Sequence, residues 1–316
     1  MKFLITGGAG FIGSHLADRL TDEKHEVSII DNLSTGSLKN LENCLSKVDF
    51  THGDILDKNL IDNQVSKVDV VFHMAAAVGV KNIIENPIES LLTNYNGSEN
   101  VLLSCAKHKK RLFIASTSEI YGKNPIQPLS ETHDRVVGPP QKLRWTYADA
   151  KALEESLAYA LFLKENLPVT TLRFFNTVGP RQTGMYGMVV PRFVAAALQN
   201  KPLEVHGDGS QSRVFCHVYD VIDVLMTLIY KNETIGQVFN IGGAGEISIL
   251  ELAKKVIDQT ASKSEILMIP YEKVYDTTFE DMQRRIPDIT KISSLLNWKP
   301  KLNLEQIIDS IAISLK

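Results

Sequence analysis

The sequence predicts a doubly wound α/β fold: an open parallel sheet with helices on both faces, followed by a smaller C-terminal α/β lobe. Three observations predict it. Short runs of apolar and branched residues recur through the first half of the chain, at 2–6, 26–30, 48–51, 68–73, 111–116 and 169–174. Longer stretches of helical character separate most of them, at 11–21, 87–108 and 145–166. The first run, Phe3-Leu4-Ile5, passes directly into the glycine turn Thr6-Gly7-Gly8-Ala9-Gly10-Phe11-Ile12-Gly13, which opens a helix.

Short, almost wholly apolar runs suit strands buried on both faces, as in parallel sheets. Strands that alternate with helices imply right-handed crossovers, which wind helices onto both sides of the sheet. After about residue 176 the texture changes. Residues 178–186 are rich in Gly, Pro and Arg and read as a loop. A helix is expected at 191–199, a short strand at 203–206, a helix at 218–230, a strand at 237–241 and a helix at 249–259. The expected division is a Rossmann-type domain over 1–176, rejoined by 217–241, and a substrate lobe built from 177–216 and 242–316.

Composition bounds the function. The 316 residues are 44% apolar and 22% charged, as in a soluble globular enzyme. The net charge of −3 and pI near 6.3 point to neither nucleic acid nor an anionic membrane. No apolar run approaches the roughly 20 residues a membrane span requires. The apolar segment at the N-terminus is too short for a secretory signal and is better explained as the first strand. Cys44, Cys105 and Cys216 are odd in number and far apart, which argues against a disulfide framework. A cytoplasmic location is expected. No zinc-type spacing, nucleophile elbow or Walker loop is present, so no metal is expected.

The glycine turn suits a pyrophosphate, because glycines let backbone N–H groups come within hydrogen-bonding distance of it. Two spacings overlap: Gly8-x-Gly10-x-x-Gly13, and Gly7-x-x-Gly10-x-x-Gly13, the spacing of short-chain dehydrogenases. Phe11 and Ile12 open the helix between the last two glycines. Asp31, with Asn32 after it, ends the second strand, where a carboxylate accepts hydrogen bonds from an adenosine ribose and repels a 2′-phosphate. The expected cofactor is therefore NAD. Asp54, followed by Ile55, is placed either to meet the adenine or to cap a helix. In His73-Met74-Ala75-Ala76-Ala77 the small Ala75 and Ala76 let a cofactor lie against the backbone, while His73 reads as a packed structural residue.

Tyr147 and Lys151 open a long helix four residues apart, on one face and one turn from each other. A phenol is a poor base at neutral pH. A neighbouring ammonium and a nicotinamide cation would both favour the phenolate. Tyr147 could then take the proton of a sugar hydroxyl as hydride leaves the same carbon, with Lys151 assisting and both touching the cofactor. Ser116-Thr117-Ser118-Glu119 follows the fifth strand, at the carboxyl edge where such sheets bind ligands. Thr117 can share the reacting hydroxyl's hydrogen bond, and Glu119 can act as acid or base at a second carbon.

In this order, the motifs resemble the extended short-chain dehydrogenase family, and more narrowly its NAD-dependent nucleotide-sugar epimerases, dehydratases and decarboxylases. The resemblance continues through Arg173-Phe174-Phe175-Asn176-Thr177-Val178-Gly179-Pro180-Arg181, through Gly207-Asp208-Gly209-Ser210-Gln211-Ser212-Arg213, and through Arg284-Arg285-Ile286-Pro287-Asp288. It implies that Asn176 contacts a sugar diphosphate and that Arg213 and Arg285, or Arg284 if the alignment slips by one, bind phosphate or sugar. It also implies a homodimer built on the helices at 87–108 and 145–166.

Ser116-Thr117-Ser118-Glu119-Ile120-Tyr121-Gly122 looks most like the UDP-glucuronate decarboxylases. Val137-Gly138-Pro139 followed by Arg144-Trp145-Thr146-Tyr147 points the same way, particularly to the branch that makes a 4-keto pentose. Sugar 4,6-dehydratases carry Asp where Ser118 stands, and simple 4-epimerases usually lack a carboxylate at Glu119. The run from Gln182 to Met188 departs from the decarboxylase pattern. The resemblance therefore implies transient oxidation at C4 of a UDP-sugar and decarboxylation of a UDP-uronic acid. A UDP-hexose or UDP-uronate 4-epimerase is the alternative, and a non-catalytic NAD-binding regulator a third.

Overall fold

A computed structural model gives the fold, describing residues 1–184, 188–274 and 280–316. Residues 185 and 186 of the loop expected at 178–186 lie outside the described residues, as do 185–187 of the run that departs from the decarboxylase pattern.

Seven parallel strands form the central sheet. They are β1 (Lys2–Thr6), β2 (Glu26–Asp31), β3 (Val48–His52), β4 (Val70–His73), β5 (Arg111–Thr117), β6 (Val169–Phe174) and the strand Gln237–Ile241. Their order is 237–241, β6, β5, β4, β1, β2, β3, so the winding reverses between β1 and β4. That switch point, at the carboxyl ends of the strands, is where open α/β sheets bind ligands.

Alternating side chains send each strand into two cores. Phe3 and Ile5 face one side, against α1 (Phe11–Asp22) and the helix Val218–Leu228. Leu4 faces the other, against α2 (Lys58–Ser66), α4 (Pro87–His108) and α5 (Thr146–Glu165). The short α3 (Val80–Glu85) precedes α4. Phe72 and Phe113, opposite one another on β4 and β5, stack at 4.7 Å and fix the middle of the sheet.

The smaller lobe gathers the helices Val189–Leu198, Ile249–Gln259 and Leu304–Ser314 around Phe193, Leu252 and Ile308. Both of the last two begin with reciprocal capping boxes, Ser248 with Glu251 and Asn303 with Gln306. A three-stranded sheet carries Arg213 and Arg285 side by side in register. Arg181 ties the lobe to the sheet domain through Asp18 at 2.6 Å.

Some boundaries differ from expectation. Asp69 precedes β4, because its carboxylate accepts from the backbone N–H of Lys2 at 2.8 Å instead of facing the core. Trp145 and Asn166 flank α5, and Asn166 ends it in the left-handed conformation. The helix expected from residue 191 begins at Val189. Helices α2, α3, Thr290–Leu296 and Leu304–Ser314 were not anticipated.

Candidate active site

The glycine turn is shaped by contacts that leave no room for a Cβ. Gly7 has φ +70°, and a Cβ there would lie 2.7 Å from the backbone of Ala75. At Gly13 a Cβ would meet the carbonyl oxygen of Gly7 at 2.3 Å. Gly10, the N-cap of α1, supplies no side-chain acceptor. The first-turn amides of α1 therefore remain uncapped at the positive end of the helix, a cradle for an anion. Asp31 lies beside it, with one carboxylate oxygen accepting from Ala9 N at 2.9 Å and the other from Leu33 N at 2.8 Å. Burial pushes its carboxyl up, against those backbone hydrogen bonds. A carboxylate has further lone pairs to offer a ribose. These residues fit a bound dinucleotide.

A cavity of about 730 Å³ runs from this turn across the carboxyl edge of the sheet. It is lined by Gly7, Gly10, Phe11, Ile12, Gly13, Asp31, Asn32, Asp54, Ile55, Ala75 and Ala76 at one end. Thr117, Ser118, Glu119, Tyr147 and Lys151 line its middle, and Asn176, Arg213 and Arg285 its far wall. Arg284 does not line it; it points outward and pairs with Glu246 at 2.8 Å, while Arg285 faces the cavity. Asp54 does not cap α2. Asp57 does so, accepting from Asn59 N and Leu60 N at 3.0 Å, while Asp54 accepts from Asn32 Nδ2 at 2.8 Å. His73 is fully buried behind the cavity.

Thr117 ends β5 and caps the turn Ser118–Tyr121, its Oγ1 accepting from Glu119 N at 3.1 Å. Its hydroxyl proton is left to donate into the cleft. The turn presents Glu119, which is held by two guanidinium groups: Arg144 Nη2 at 2.8 Å and Arg285 Nη1 at 2.5 Å, both on Oε1. Arg144 Nη1 pairs with the other oxygen. Burial works against the carboxylate, but Arg144 and Arg285 overcome it and hold its pKa at about 2. Arg285 also donates to Asn176 Oδ1, and Asn176 Nδ2 donates to Val214 O at 2.9 Å. Arg213 donates to Asp281 Oδ1 at 2.9 Å, and Tyr271 donates to the same carboxylate at 3.1 Å.

The expected lowering of the Tyr147 pKa by Lys151 is not what the structure shows. Lys151 Nζ donates to Glu154 Oε2 at 2.9 Å. Tyr147 is pushed above the ordinary tyrosine range, first by desolvation and then by the Glu154 and Glu119 carboxylates; Arg144 and Arg285 act the other way. Glu154 and Arg144 are thus site residues beyond those expected from the sequence, where Arg144 stands only within a motif. Arg144 has a sequence signal, three residues before the tyrosine. Glu154 has none, since a glutamate three residues after a lysine reads as a solvated helix pair.

The sequence matches the family described as GDP-mannose 4,6 dehydratase over residues 4–311. The chain belongs to that family. Among its relatives, UDP-N-acetyl-alpha-D-glucosaminuronate decarboxylase of Bacillus cytotoxicus is 44% identical over 96% of this chain and 94% of its own. UDP-glucuronic acid decarboxylase 1 of Danio rerio is 37% identical over 96% of this chain and 70% of its own. The solved structure of UDP-glucuronic acid 4-epimerase from Bacillus cereus, in complex with UDP-glucuronic acid and NAD, superposes with a TM-score of 0.89 at 27% identity. It covers 100% of this chain and 99% of that one. The family is described by a dehydratase, while the relatives are named as decarboxylases and the solved structure as a 4-epimerase, so the side chains at the centre of the cavity must distinguish these reactions.

Proposed function

We propose that this chain is an NAD-dependent decarboxylase of a UDP-uronic acid. The observation that carries the reading is Glu119, held as a carboxylate between Arg144 and Arg285 beside Thr117 and Tyr147. Two relatives named as decarboxylases of UDP-linked uronic acids support it.

The cofactor's part follows from the cradle. The uncapped amides of α1 would hold the pyrophosphate and Asp31 the adenosine ribose. NAD⁺ bound there would supply the acceptor for hydride from the sugar C4. Tyr147 takes the C4 hydroxyl proton, and Thr117 donates a hydrogen bond to that oxygen. The resulting ketone is β to the C6 carboxylate, so the C5–C6 bonding pair can pass into a C4–C5 enolate as carbon dioxide leaves. Protonation at C5 then gives the 4-keto pentose. At neutral pH a carboxylate whose pKa is about 2 holds no proton to give, so Glu119 acts by orienting a water toward C5. Arg213 and Arg285 bind the diphosphate or the uronate carboxylate by charge-assisted hydrogen bonds. The chain acts as a homodimer in the cytoplasm.

The likeness to the UDP-glucuronic acid 4-epimerase favours a second reading, in which the C4 ketone is reduced from its other face. One experiment separates the two. The protein is incubated with NAD⁺ and UDP-glucuronate, and in parallel with UDP-N-acetylglucosaminuronate, and the products are weighed by mass spectrometry. Decarboxylation gives a product lighter by one carbon dioxide and two hydrogens where the 4-keto pentose is released, and by one carbon dioxide alone where the hydride is returned to C4. An unchanged mass with a new C4 stereoisomer gives the reaction to the epimerase reading.

A further inference from the structure

Glu154 is a buried acid to which the proposed chemistry gives no task. It pairs with Lys151 at 2.9 Å, and the two side chains are 2% and 1% exposed. A solvated helix pair at this spacing contributes little. Burying the same pair carries a desolvation penalty, so its presence beside the reacting tyrosine calls for a reason. Behind it runs a line of polar groups. The Ser98 hydroxyl of α4 lies against the Glu154 carboxylate. His73 Nε2 of β4 lies 2.8 Å from Ser98 Oγ, and His73 Nδ1 lies 2.7 Å from Thr6 Oγ1 of β1. Burial, with Lys151 nearby, pushes His73 down to about 3, so this line carries no second cation at neutral pH. Glu155, the neighbouring acid, is taken up by Arg173 at 2.7 Å.

The charges around Tyr147 come from four places. Lys151 and Glu154 stand on its own helix, and Glu119 on the turn after β5. Arg144 stands on the turn before α5, and Arg285 on the strand Arg284–Arg285. Arg144 and Arg285 are engaged by Glu119. Lys151 is the cation expected to favour a phenolate, and Glu154 is bound to it.

We propose that Glu154 is a positioning residue: it fixes the Lys151 ammonium and cancels its charge toward Tyr147, so that the site keeps Tyr147 a phenol until a further positive charge enters the cleft. This rests on the reading of Tyr147 as the base. Oxidised nicotinamide carries such a charge and reduced nicotinamide does not. Tyr147 is thereby suited to lose its proton in the oxidising step and to hold one in the reducing step.

The test needs neither substrate nor turnover. Tyrosinate absorbance of the cofactor-free protein is followed against pH, and the signal of Tyr147 is isolated by subtracting a Tyr147→Phe protein in each background. In Glu154→Gln, Tyr147 is expected to ionise at a pH lower by about 1 unit or more, the effect of removing a nearby like charge. Glu154→Asp keeps the charge but lengthens the pair, and shifts the titration the same way by less. It also covers the case in which Glu154→Gln does not fold. An unchanged titration in whichever variant folds overturns the proposal. If the wild-type protein shows no turnover of any UDP-uronate, the functional reading fails while this titration still reports on Glu154.

Discussion

Arg144 grips Glu119 through both carboxylate oxygens at the floor of the cleft, two residues 25 positions apart that are both nearly closed to solvent. One oxygen accepts a charge-assisted hydrogen bond and the other lies within ion-pair distance, and such charged contacts are stronger than neutral ones. The pairing converts the acid implied by the Thr117-Ser118-Glu119 motif into a fixed anion, and it leaves Arg285 to bridge the same anion to Asn176.

Removing Arg144 should therefore be costly. Arg144→Met leaves a buried carboxylate with one guanidinium, and a loss of about 3 kcal/mol in unfolding free energy is expected at pH 7. Glu119 is depressed from 4.5 to about 2 in the folded protein. Its contribution is therefore present above its unfolded pKa and is lost as the pH falls through the folded one. The gap between wild type and Arg144→Met should be widest near neutral pH and narrow toward pH 2. Urea unfolding across that range measures it, and equal stability at pH 7 would show that the pair contributes nothing.

Tyr147→Phe should lower kcat on the UDP-uronate by at least about 10²-fold, the range for loss of a general base. The circular dichroism spectrum should be unchanged, because Tyr147 is only half-buried and its helix is held by Ala148, Ala150 and Ala158. Retention of wild-type turnover would remove Tyr147 from the chemistry.

The sheet was legible because parallel strands, buried on both faces, read as unbroken apolar runs, and Phe3-Leu4-Ile5 feeds both cores at once. Helix α2 was not, because only Ile61 and Val65 of its nine residues are buried, too few to set a helical period. The location of the site residues was legible wherever glycine geometry or a one-turn spacing fixed it, as at Gly7 and at Tyr147 with Lys151. The electrostatics were not. Glu119 and Arg285 are 166 positions apart and meet only through the fold. The pairing of Lys151 with Glu154 gains its weight from burial, which spacing does not report.

Asp31 bears on the cofactor. Asp31→Asn keeps the shape but removes the charge-assisted acceptor, and NAD affinity should fall about tenfold, the equivalent of one such hydrogen bond. Part of that loss would be local, since Asp31 also holds the Ala9 and Leu33 amides. The melting temperature measured without NAD separates the two contributions. A variant that binds NAD as tightly as wild type would show that Asp31 only shapes the turn.

The dimer proposal can be tested on the same helices that frame the site. Ile88 and Leu92 of α4 are 75% and 50% exposed, and Leu153, Tyr159 and Leu163 of α5 between 53% and 57%. Exposed apolar side chains on two adjacent helices suit a second copy of the same surface. Leu153→Asp with Leu163→Asp places charges in the middle of that face without touching the cavity. Light scattering should give a dimer for wild type and a monomer for the double variant, whose fold should hold because both positions are exposed. If wild type is already monomeric, the proposal fails. If the double variant remains dimeric, the copies meet on another face.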